Sequence, residues 1–142
     1  MVTSNVLVLI TDSKVAKFYS SKGKKVQHLL KGIKAEKWWK VLLQKGRDNF
    51  FRKRGVSSHF LDPHHEAKEN ERRSFSLEIS RVLENILKLY PTECIIVFSE
   101  PKMLGELRKN LDPKFKDFIH KEVSKDLTHC TLQEISNHLK NI

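Results

Sequence analysis

The chain has 142 residues, of which 31% are charged and 39% hydrophobic, and it carries a formal net charge of +10 at pH 7. This composition excludes wholesale disorder, and the length suits one domain that buries about two thirds of its unfolded surface. With only two cysteines, Cys94 and Cys130, a secreted disulfide framework is excluded as well.

The charge is unevenly placed. From Lys22 to Arg54 there are twelve Lys or Arg residues against two acids, Glu36 and Asp48, which equals the excess of the whole chain. The remaining residues therefore sum to zero. A concentrated cationic field favours a polyanion, nucleic acid before an anionic membrane surface. A merely soluble basic protein is the bland alternative.

In chain order, residues 5–11 form an apolar run that predicts a buried strand, followed by a turn at Asp12-Ser13. Residues 14–20 and 24–30 predict two further strands, joined by a turn at Ser21-Lys22-Gly23, so that three strands make an antiparallel meander. Residues 33–43 suit either a short helix, towards which we lean, or an edge strand. Residues 44–65 have no clean period and predict a long basic loop, which inside a compact domain is functional or disordered.

Residues 66–89 predict the longest helix: Phe75, Ile79, Val82, Leu83, Ile86 and Leu87 recur at three- and four-residue steps, and Tyr90-Pro91 ends it. Residues 94–98 predict the central strand, with Cys94 buried. Pro101 then opens a helix over 102–111, which Asp112-Pro113 breaks. Residues 115–127 read as a helix, a strand, or one passing into the other. Thr131, with Glu134 three residues on, predicts a capped terminal helix over 131–139. The order predicts an α/β domain with a mixed sheet of about five strands and helices on its faces.

Three runs carry a resemblance. Glu100-Pro101 leads into Leu104-Gly105-Glu106-Leu107-Arg108-Lys109, Lys125-Asp126-Leu127-Thr128 follows, and Asp12 to Phe18 opens the chain after its first apolar run. Together with His65 and Phe75 at the start of the long helix, they resemble the bacterial host attachment proteins. That family in turn resembles the middle domain of archaeal and eukaryotic peptide-chain release factors. The resemblance implies a single RNase H-like domain over 1–142 that meets ribosomal RNA or tRNA. In true release factors a Gly-Gly-Gln tripeptide in the long loop helps water cleave peptidyl-tRNA. This sequence has no Gly-Gly-Gln, so that hydrolysis does not carry over.

The candidate RNA-binding residues are Arg47, Arg52, Lys53 and Arg54, beside Phe50 and Phe51, with Trp38 and His65. Cations neutralise phosphates and release counterions, Arg adds forked hydrogen bonding, and exposed rings stack on unpaired bases. The alternative is a solvated basic loop with its phenylalanines tucked into the core. Trp38 and Trp39 diverge in either a helix or a strand, which leaves one nearer solvent or a dimer contact.

His59, Asp62, His64, His65 and Glu66 fit no zinc signature, and no metal or other cofactor is expected. A metal-dependent nuclease would need converging carboxylates, for which Asp12, Glu100 and Asp126 are the candidates. The first strand itself holds no carboxylate, and Asp12 suits a turn. Glu100, Glu106 and Arg108 suggest a salt-bridge set at a helix start, and Gly105, costly inside a helix by about 1 kcal/mol, suggests close packing. The expected partners are ribosome, rRNA or tRNA, with a homodimer and a host-cell protein partner as further options. With no signal segment or spanning helix in view, a cytoplasmic location is expected and membrane insertion is not.

Overall fold

The computed structural model describes residues 4–35 and 63–142. Three strands come first: β1 (Asn5–Thr11), β2 (Val15–Lys22) and β3 (Lys25–Lys34). Next are α1 (Pro63–Leu89), β4 (Cys94–Ser99) and α2 (Pro101–Asn110). A short 3₁₀ turn (Pro113–Phe115), β5 (Ile119–Val123) and α3 (Leu132–Lys140) complete the fold.

The strands form one sheet in the order β3-β2-β1-β4-β5. The β1–β2 and β2–β3 pairs are antiparallel, and β1–β4 and β4–β5 are parallel. This is the mixed sheet, meander first, of the α/β domain that the order of elements predicts.

β1 is central because six of its seven residues are buried. A strand covered on both faces reads as a continuous apolar run rather than an alternating one. Its alternate residues feed two cores. Leu7 and Leu9 join Phe18, Ile95 and Val97 beneath α1 (Phe75, Ile79, Leu83) and α2 (Met103, Leu104, Leu107). Val6, Val8 and Ile10 join Tyr19, Ile96 and Phe98 beneath α3 (Ile135, Leu139) and Leu127. Each fully buried large apolar side chain contributes about 1.5–3 kcal/mol. α3 is also tied to the edge of the sheet, where the Val26 N–H donates to Ser136 Oγ at 3.0 Å.

Several boundaries differ from expectation. β2 runs on to Lys22, and the turn falls on Gly23, whose φ of 59° suits a residue without Cβ. β3 continues to Lys34, so residues 33 and 34 are strand rather than helix; the rest of that ambiguous stretch lies outside the described residues. α1 begins at Pro63, so residues 63–65 belong to the helix and not to the loop. Residues 115–127 hold the last residue of the 3₁₀ turn, a further turn, the five-residue β5 and an extended link, and Asp112 caps the 3₁₀ turn by accepting from Lys114 N–H at 3.1 Å. Cys94 is half-buried and Cys130 is likewise a free, half-buried thiol. Burial first, then Glu93, raises the Cys94 thiol pKa; burial, then Glu134 and Asp126, raises that of Cys130.

Candidate functional site

β1 and β4 lie side by side and parallel, with Thr11 opposite Ser99, so both carboxyl ends point the same way. The chain leaves β1 towards β2 on one side, while β4 leads on to β5 on the other. Connections that diverge from two neighbouring parallel strands leave a crevice at their carboxyl ends, the usual ligand position of open α/β sheets. Here that crevice is a cleft of about 390 Å³ lined by Ser13 and Lys14 after β1, Glu100 and Lys102 after β4, and Lys68, Glu71 and Arg72 from α1.

The loop after β1 is held rigidly. Asp12 Oδ1 accepts from the N–H groups of Lys14 at 2.7 Å and Val15 at 2.8 Å, while the Asp12 N–H donates to the Val15 carbonyl at 3.0 Å. The turn that Asp12 was expected to shape is therefore built by its own carboxylate, and it presents Ser13 and Lys14 to the cleft.

On the β4 side, Glu100 is the N-cap of α2, accepting from Met103 N–H at 2.7 Å and Lys102 N–H at 3.2 Å. A capping carboxylate satisfies orphan donors and suits the helix dipole. The expected set of Glu100, Glu106 and Arg108 does not form. Glu106 accepts from Asn110 Nδ2 at 2.9 Å, and Arg108 pairs with Glu122 of β5 at 3.0 Å. These residues point three ways because helical spacing sends them to different faces.

The run Lys125 to Thr128 acts as a latch. Leu127 is buried in the second core, and the Thr128 hydroxyl donates to Asp126 Oδ1 at 2.7 Å while lying 3.4 Å from Asp12 Oδ2. Lys17 Nζ donates to the Thr128 carbonyl at 2.7 Å. The link between β5 and α3 is thus pinned over the end of β1. The three carboxylates considered for a nuclease have separate work here: Asp12 shapes a turn, Glu100 caps a helix and Asp126 holds Thr128. Among the described residues, no three His, Cys, Asp or Glu side chains converge on one point.

Gly105 corrects another expectation. A Cβ there would meet nothing within 4 Å, so no close packing against the described residues accounts for the glycine.

Of the predicted RNA-binding residues, Trp38, Arg47, Phe50, Phe51, Arg52, Lys53 and Arg54 lie outside the described residues, and His65 falls in the first turn of α1. The structure does place the start of the cationic stretch. Lys22, Lys24, Lys25, Lys31 and Lys34 lie on or beside the β2–β3 hairpin at the edge of the sheet, and all five are exposed. No Asp or Glu occurs between Asp12 and Glu36. Lys34 stands opposite Val15, and the Ala35 N–H donates to the Lys14 carbonyl at 2.8 Å, so the cationic edge runs into the cleft.

Sequence reasoning missed Lys14, Lys68, Arg72 and Lys102 as a group. The one available signal was the i,i+4 pair Lys68 and Arg72, a spacing that puts two cations on one helix face.

The model of a family described as "protein required for attachment to host cells" matches residues 7–139. The chain belongs to this family. An uncharacterized protein of Rickettsia prowazekii (strain Madrid E) is 25% identical over 91 residues, covering 63% of this chain and 61% of that protein. A crystal structure of an archaeal translation termination factor matches at 14% identity with a TM-score of 0.39, covering 96% of this chain and 38% of that one. The chain thus spans less than two thirds of either protein. No helix among the described residues is long and apolar enough to cross a membrane.

Proposed function

We propose that this member of the host attachment family is a release-factor-like module that binds ribosome or RNA in the cytoplasm, and that its link to host attachment runs through that binding. The observation that carries the reading is the sheet edge, where five exposed lysines stand in a stretch with no acid between Asp12 and Glu36. In sequence, that edge is followed by the segment holding Arg47, Arg52, Lys53 and Arg54, with Phe50, Phe51 and Trp38 as stacking candidates and His65 after them. Cations clustered on one side can orient a phosphate backbone, and interleaved aromatics add base stacking. Without a Gly-Gly-Gln, the reading assigns no peptidyl-tRNA hydrolysis.

Co-sedimentation with ribosomes and binding to purified rRNA and tRNA test it. The wild-type chain is expected to bind, and Arg52→Glu with Arg54→Glu to lose most of that binding. Unchanged sedimentation after those reversals counts against the reading.

A further inference from the structure

We propose that the cleft at the carboxyl ends of β1 and β4 seats a backbone phosphate of the bound RNA, with Lys14, Lys68, Arg72 and Lys102 as its cationic contacts. The inference rests on the RNA-binding reading and gives it a definite seat in the described part of the fold.

Three independent observations converge there. The first is topological: the cleft occupies the crevice beside β1 and β4 where connections diverge. The second is electrostatic. Among the described residues, four cations and two carboxylates line the cleft. The Glu100 carboxylate is occupied by two backbone amides, and Glu71 is only 9% exposed. Lys14, Lys68 and Lys102 are exposed and Arg72 is half-exposed, and none of the four makes an ion pair with a described residue. By contrast, Lys88 and Lys114 converge on Glu84, and Arg108 pairs with Glu122.

The third observation is continuity. Ala35, hydrogen-bonded to Lys14, ends the lysine-bearing edge at the mouth of the cleft. A backbone tracking that edge would arrive at Lys14 and meet Arg72, whose forked guanidinium suits two phosphate oxygens. A volume of about 390 Å³ leaves room for a phosphodiester with part of its sugars.

The test is a titration of the ¹⁵N-labelled full chain with pyrophosphate and, separately, with a short single-stranded RNA. Both ligands are expected to shift the amides of Ser13, Lys14, Lys102 and Met103. Lys68→Glu with Lys102→Glu is expected to abolish those shifts and weaken RNA binding about tenfold at low salt. The neutral pair Lys68→Gln with Lys102→Gln guards against a folding defect and should give the same loss in smaller measure. RNA binding that leaves these amides still would overturn the cleft as the seat while leaving the RNA reading intact. Shifts with pyrophosphate but no RNA binding would keep a phosphate site here and remove RNA as its source. No cleft response to either ligand overturns the inference outright.

Discussion

The Ala35 N–H donates to the Lys14 carbonyl at 2.8 Å, which ties the end of the lysine-rich β3 to the loop flooring the cleft. That bond makes one surface of two features far apart in sequence. The Lys34 end of the hairpin thereby lies beside the cations that follow β1 and those on α1 and α2, while Lys22, Lys24 and Lys25 stand at the other end of the strands, near Asn5.

Replacing Gly105 by Ala is expected to stabilise the protein by roughly 0.5–1 kcal/mol. The new Cβ meets no described atom within 4 Å, and Ala loses less backbone entropy than Gly in a helix. Urea unfolding of the two proteins measures it. A loss of stability would show that something outside the described residues packs on that face.

Thr128→Val is expected to cost about 1–2 kcal/mol. It removes the hydroxyl that donates to Asp126 and lies 3.4 Å from Asp12 while keeping the shape of the side chain, so Asp126 loses its shortest donor and the tie towards Asp12 goes with it. Thermal or chemical denaturation reads the cost. A neutral result would show that Leu127 alone holds the link.

Leu107→Ala is expected to cost about 2–5 kcal/mol, since Leu107 is 1% exposed between α2 and the sheet. Arg108→Ala, one residue on, breaks only an exposed pair with Glu122 and should change stability by less than about 1 kcal/mol. Equal effects from the two would contradict the assignment of faces in α2.

The Glu134 carboxyl is held below its ordinary range because it accepts from the Thr131 backbone N–H and is coupled to the Thr131 hydroxyl in the capping box. A carboxyl lowered on folding adds stability above its unfolded pKa, and that contribution is lost as pH falls through the folded value. Glu134→Gln should therefore lower stability slightly near neutrality and flatten its decline below about pH 4.5, so that the two curves converge in acid. Parallel acid-side curves for the two proteins would contradict this.

β1 and β4 were legible because strands buried on both faces carry uninterrupted apolar runs, and α3 because Thr131 and Glu134 form the reciprocal cap that their spacing predicts. β5 was not, since an edge strand reading Ile-His-Lys-Glu-Val is only partly buried and shows no period. The length of β3 escaped for the same reason: seven of its ten residues are exposed, so no apolar alternation marks its end at Lys34. The cleft was the least legible feature. Its cations sit at positions 14, 68, 72 and 102, and only the sheet order brings them together. The run Lys125 to Thr128 stood out by resemblance, yet its work is structural.

The most direct test of the account is the salt dependence of affinity for single-stranded RNA, compared between the wild-type chain and the Lys68→Glu, Arg72→Glu variant. In the wild type log K is expected to fall linearly with log salt, and the variant is expected to bind more weakly with a slope shallower by about 1.4, the equivalent of two lost phosphate contacts. A wild-type affinity indifferent to salt, or a variant with the same affinity and slope, would contradict it.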